Sequence, residues 1–196
     1  MLLSVLAVGA AHAGLTARLN LNYDTTGHVQ GENATPATRV TYNTKRMAYR
    51  ADFGYEINNM FLIGASYLAI NTKQEEVQHD LTPTTFSTFK VNTLGALFGY
   101  RIGYLDFNYV YFLSPTMTFE KDGGTSRSFA KGAGWEFNAG YIFPVNKIFS
   151  VGPRLAYRKI TWEEFTDAGA TIPTPLTYGQ EDRKDLSFYL AFQFNI

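Results

Sequence analysis

The sequence predicts an all-β chain that folds as a single eight-stranded antiparallel up-and-down transmembrane β-barrel. Three observations carry that expectation. Large apolar residues recur at every second place in eight separate segments, the two-residue period of a strand with two different faces. The connections between these segments alternate short and long. The apolar faces also carry more bulk than the interior of so small a barrel accepts, whereas the opposite faces, rich in Gly, Ala, Ser and charge, would fit it.

The last segment, DLSFYLAFQFNI, shows the pattern most plainly. Leu186, Phe188, Leu190, Phe192, Phe194 and Ile196 share one face, and Asp185, Ser187, Tyr189, Ala191, Gln193 and Asn195 share the other. The first segment places Leu15, Ala17, Leu19, Leu21 and Tyr23 opposite Arg18, Asn20 and Asn22. The second sets Met47, Tyr49, Ala51, Phe53, Tyr55 and Ile57 against Arg50, Asp52, Gly54 and Glu56. The third and fourth set Phe61, Ile63, Ala65 and Tyr67 against Ser66 and two leucines, then Leu94, Ala96, Phe98 and Tyr100 against Thr93, Gly95 and Arg101. The fifth opposes Leu105, Phe107, Tyr109 and Tyr111 to Asp106 and Asn108. The sixth opposes Trp135, Phe137 and Tyr141 to Glu136 and Asn138, and the seventh Val151, Leu155 and Tyr157 to Arg154 and Arg158.

Short turns are expected at Asn58-Asn59, Gly103 and Asn146, where the dipeptides suit hairpins. Long polar loops are expected over 25–36, 71–88, 119–132 and 163–180. An even strand number puts both chain ends at the short-turn side, as in membrane barrels. Aromatic residues gather at both ends of the strands. Tyr55, Phe61, Tyr104, Tyr141, Phe143, Phe149, Phe192 and Phe194 lie toward the short turns, and Tyr23, Tyr67, Tyr111, Tyr157 and Trp162 toward the long loops. Two such girdles match the two interfaces of a bilayer, so the apolar face is expected to meet lipid.

Composition narrows the function classes. Lys+Arg and Asp+Glu are both 17, which removes the charge excess that nucleic-acid binding would call for. Charged residues make up 17%, below the roughly 25% of a soluble domain. The absence of cysteine excludes disulfides and thiolate metal sites. Residues 1–13 combine a short apolar run with an Ala11-His12-Ala13 box and read as a signal peptide with a shortened basic region. The barrel domain is then 14–196.

With these features in place, residues 14–196 resemble the small eight-stranded bacterial outer-membrane barrels, the group that includes the OmpA transmembrane domain, OmpX, OmpW and NspA. The terminal strand, the A-x-A box and the rhythm of short turns and long loops carry the resemblance. It implies the bacterial outer membrane as location, its lipid bilayer as partner, and recognition of the terminal strand (Leu186, Phe188, Leu190, Phe192, Phe194, Ile196) by the barrel-assembly machinery. That group usually ends on Phe; this chain ends on Ile196.

The inward faces supply Arg18, Arg50, Arg101, Arg154, Arg158 and Arg183 against Asp52, Glu56, Asp106, Glu136 and Asp185. Charges withdrawn from water must be paired, and the arginine fork suits carboxylates. The expectation is a lumen plugged by Arg–carboxylate pairs together with Asn20, Asn108, Asn138 and Gln193. Leu62, Leu68, Leu97, Val110, Phe112, Ile160 and Trp162 also fall on the inward face, either as packing or as an apolar passage of the kind in OmpW-like barrels.

Catalytic signals are weak. His28 and His79 lie in expected loops; His79-Asp80 near Ser87 has no spacing that requires a triad. Glu75-Glu76 with Asp80, or Glu120 with Asp122, offer too few oxygen ligands for Ca²⁺. No cofactor, metal or nucleic acid is expected. The reading is a monomeric, non-enzymatic envelope protein, structural or binding an unnamed surface ligand through its long loops. The alternative is a channel or lateral transporter for small or hydrophobic solutes; a lipid-modifying enzyme is third.

Overall fold

In the computed structural model, residues 13–32, 39–78, 85–121, 126–167, 170–173 and 181–196 are described, with side chains at 14–23, 45–73, 87–120, 126–164, 166 and 185–196. The chain forms β1 (Ala13–Glu32), β2 (Arg39–Ile57), β3 (Phe61–Gln78), β4 (Thr85–Ile102), β5 (Leu105–Lys121), β6 (Ser126–Ala130), β7 (Ala133–Tyr141), β8 (Phe143–Pro144), β9 (Phe149–Trp162), β10 (Glu164–Asp167), β11 (Ala170–Pro173) and β12 (Glu181–Asn195). Every pairing among the described residues is antiparallel, and the ring β1-β2-β3-β4-β5-β7-β9-β12 closes on itself, which makes an eight-stranded barrel.

Of the extra segments, β6, β8 and β10 continue barrel strands past breaks, and β11 pairs back on β10. β6 and β7 are one strand bent at Lys131, whose φ is 49°. Opposite it, β5 carries a bulge at Ser114 (φ 47°), where Leu94 pairs with Leu113 but Asn92 with Thr116. Such an insertion exchanges the two faces. Below it Asp106, Asn108, Val110 and Phe112 point inward; above it Pro115 and Met117 do.

The sequence-expected faces hold on all eight strands. Leu19, Tyr55, Phe98, Tyr109, Phe137, Leu155 and Phe188 are exposed on the outside, and the residues between them are buried. Short turns fall at Asn58 and Asn59, both in the left-handed region (φ 54° and 53°), and at Gly103 (φ 60°). The Asn146 side-chain oxygen accepts from the amides of Ile148 and Phe149, 2.8 Å each, fixing the third turn. The start of β1 and the end of β12 meet at this side: the Ile196 amide donates to the Leu15 carbonyl at 2.8 Å.

Two expectations need correction. The polar connections are largely strand, because β1 runs to Glu32, β3 to Gln78 and β5 to Lys121. Beyond the membrane both faces of a strand meet water, so the apolar alternation disappears while the backbone ladder continues. A crossing needs only about 9–11 residues per strand, so these strands rise well past the bilayer. Trp162 also leaves the outer girdle: it is fully buried inside, and its indole N–H donates to the Pro115 carbonyl at 3.0 Å. The lipid-facing tryptophan is Trp135, 5.6 Å from Tyr157 between ring centres.

Small residues permit the tight wall. Gly54 pairs with Gly64 across β2–β3. A Cβ on Gly64 would stand 2.2 Å from the Phe53 carbonyl oxygen, and one on Gly152 would stand 1.7 Å from that of Tyr141. Both contacts are backbone, so nothing flexible can yield. Gly64→Val is expected to lower the stability of the refolded barrel by about 1–3 kcal/mol through overpacking, read as a fall in the urea midpoint. An unchanged midpoint would contradict this account of the β2–β3 approach.

Candidate functional site: the filled lumen

The lumen has a charged side and an apolar side. The charged side is built from inward positions of β1, β2, β4, β5, β7, β9 and β12, where alternation sets an arginine or an acid on each strand. Toward the short turns, Asp106 is the hub. Its carboxylate receives Arg18 and Arg154, each at 2.7 Å, with Arg101 at 3.7 Å. Arg101 also donates to Glu56 at 2.8 Å and to Gln193 at 2.7 Å, and Arg18 donates to Gln193 at 2.9 Å. The Asn108 amide donates to Asp106 at 2.8 Å, and Asn138 accepts from Arg154.

One layer further out, Glu136 is the hub. Arg50 grips Asp52 with two parallel bonds of 2.9 Å and reaches Glu136 with its remaining nitrogen. Arg158 donates to the other Glu136 oxygen at 2.9 and 2.6 Å, to Asp185 at 3.1 Å, and to the Tyr189 hydroxyl. Ser66 and Asn20 complete Asp52, at 2.7 and 3.1 Å. Arg50 and Glu136 are both 0% exposed. Each buried charge is therefore compensated by charge-assisted hydrogen bonds, the condition under which such groups are tolerated away from water.

The apolar side runs along β3–β5 and closes the outer end. Leu62, Leu68, Leu97, Val110, Phe112, Ile160 and Trp162 form one buried cluster with Val91, Met117 and Tyr189. The sequence-named inward apolar residues thus pack against one another.

A charged interior inside an apolar exterior is the reverse of a soluble barrel. Leu186, Phe188, Phe53, Ile63 and Leu94 are each more than half exposed on the outside. Rings at both heights flank this belt: Phe61–Tyr100 at 5.2 Å and Phe149–Phe194 at 5.1 Å on the short-turn side, Tyr49–Tyr67 at 6.2 Å on the other. Only lipid suits such a surface. The chain is a transmembrane β-barrel.

No family model and no curated protein matches this barrel. Among solved structures it is similar to the crystal structure of Neisserial surface protein A (NspA), at 11% identity over 96% of this chain and 100% of that one, TM-score 0.45. It is also similar to the outer membrane protease OmpT from Escherichia coli, at 8% identity over 95% and 94%, TM-score 0.42. A third, OmpT of Vibrio cholerae, matches at 13% identity over 94% of this chain and 52% of that one, TM-score 0.31.

The structure brings Arg18, Arg50, Arg101, Arg154 and Arg158 together with Asp52, Glu56, Asp106, Glu136 and Asp185. The Arg183 side chain lies outside the described residues, as do the side chains of His28, His79, Glu75, Glu76, Asp80 and Asp122 and residues 1–12. Glu120 faces Lys90 at 3.3 Å. Among the described residues, no group of three His, Cys, Asp or Glu is placed to hold a metal.

Arg46 is the member that sequence reasoning missed. It lies on β2 two positions before Ala48 on the inward face, so extending the alternation back from Arg50 finds it. It pairs with Asp185 at 2.9 Å and donates to Ser187 at 2.9 Å.

Glu136→Gln leaves Arg50 and Arg158 short of one negative charge in a water-poor interior. The expected cost is about 3–5 kcal/mol, the range for breaking a buried pair. Urea unfolding of the refolded variant checks it; a midpoint equal to wild type would remove Glu136 from the role of hub.

Proposed function

We propose that this protein is a non-enzymatic, monomeric envelope barrel whose lumen is plugged, and that it acts through its wall and its raised outer strands. The observation that carries this reading is the filling of the lumen. Arg50, Arg154, Arg158, Tyr189, Glu136, Phe112 and Trp162 are all 0–1% exposed. Eight strands enclose an interior just wide enough for side chains, and here both halves of it are occupied. An ion path would require the Asp106 and Glu136 hubs to release at least one arginine each.

The raised strands supply a surface role. β1 to β5 are 17–20 residues long, about twice a membrane crossing. They present a wall of β-structure above the bilayer, joined on one side by β6, β10 and β11. A rigid scaffold carrying variable connections is the common arrangement of binding surfaces. Assembly through the terminal strand belongs to the same reading: Leu186, Phe188, Leu190 and Phe194 stand on the outer face, where another strand or machine meets them.

Planar-bilayer recording tests the plug. The refolded full chain is expected to give no discrete conductance steps at any holding voltage within the stable range of the membrane. Reproducible unitary steps from the wild-type protein would overturn the closed lumen and favour solute passage.

A further inference from the structure

The barrel closes between its first and last strands, and that closure is partial. The β1–β12 ladder runs from Thr16↔Asn195 to Leu21↔Leu190 and stops there. Both strands continue: β1 to Glu32 on its β2 side, β12 back to Glu181 on its β9 side. Among the described residues, the two facing edges share no ladder pair from Asn22 and Tyr189 outward. Side chains bridge the start of this seam instead. The Asn22 amide donates to the Phe188 carbonyl at 2.6 Å, and Arg46 reaches across to Asp185 and Ser187, each at 2.9 Å.

A notch of about 330 Å³ opens at this point, lined by Asn22, Tyr23, Arg46, Leu155, Leu186 and Phe188. Its volume is at the small end of the roughly 300–1,000 Å³ range of ligand pockets. Its lining is mixed in a specific way. Tyr23, Leu155, Leu186 and Phe188 belong to the lipid-facing surface and are exposed, while Asn22 and Arg46 belong to the lumen side. The notch lies inside the apolar belt on this flank, because Leu186 pairs with Tyr157 of the outer girdle and Phe188 is two residues deeper.

Hydrocarbon does not tolerate open sheet edges. The Arg46 Nε is buried and has no acceptor, while its Nη2 is committed to Asp185 and Ser187. We propose that the notch binds a single-chain fatty acid: the acyl chain lies on Leu155, Leu186 and Phe188, and the carboxylate takes Nη1 of Arg46, the guanidinium nitrogen not bonded to Asp185 or Ser187, with Asn22 beside it. One charge suits the site better than two, because Asp185 already holds part of the same guanidinium. The site is in the wall and does not depend on whether the lumen conducts.

The test is photolabelling of the full chain, refolded into phosphatidylcholine vesicles, with a diazirine-bearing palmitate, followed by mass-spectrometric mapping. Adducts are expected to concentrate on Tyr23, Leu155, Leu186 and Phe188. Unlabelled palmitate is expected to compete about tenfold better than hexadecanol at equal membrane content, the loss of one charge-assisted hydrogen bond. Arg46→Gln, scored only in the fraction that migrates as folded barrel, is expected to abolish that preference. Adducts spread around the whole belt, or equal competition by palmitate and hexadecanol on the wild-type protein, would overturn the proposal.

Discussion

In hydrocarbon, each backbone amide and carbonyl must find its partner within the protein. That constraint governs the rest of this structure. A sheet meets it by closing, and the β1–β12 ladder performs the closure. Once the ring is closed, the two faces of every strand see different solvents, so the two-residue alternation follows on all eight. The same constraint makes the upper β1–β12 seam notable. Where the ladder ends, Asn22 and Arg46 supply from side chains the bonds that backbone supplies elsewhere.

Closure also sets the problem of the interior. A narrow ring leaves no bulk water to hydrate a lone charge, and the inward faces of this chain carry many. The solution is sharing. Asp106 serves arginines from β1, β4 and β9; Glu136 serves those of β2 and β9. Asp106 of β5 thus reaches β1 and β9, and Glu136 of β7 reaches β2, none of them its neighbour in the ring, adding cross-lumen links to the ladder around the circumference. Small inward residues such as Gly140, Gly152, Ala156 and Ala191 leave the room that the long arginine stems require. Along β3–β5 the same width is also filled by Leu62, Leu68, Leu97, Val110 and Phe112.

The architecture by itself accommodates unrelated activities. What this barrel does is therefore argued from its own side chains. The inward side chains of the lumen are packed against one another. The wall, where an inward arginine meets outward apolar residues at one seam, is the place where lipid-phase chemistry and a fixed positive charge adjoin.

The sequence by itself determined the strand faces, the short turns and the inward position of most of the charged residues, while Arg46 escaped it. Leu186 to Ile196 could be read as lipid-facing, and Arg50, Asp52, Glu136 and Arg158 as inward, because a period of two needs only local backbone geometry. It was silent where local pattern ends. The strands beyond the bilayer lost their alternation, since water on both faces imposes none, and so read as loops. Trp162 was ambiguous because the bulge at Ser114 turns the Pro115 carbonyl toward it, a consequence of pairing between distant segments. Which arginine meets which carboxylate, and where the first and last strands part, depend on ring register. Register is fixed only when the ladder closes around the whole barrel, and tertiary structure alone decides it.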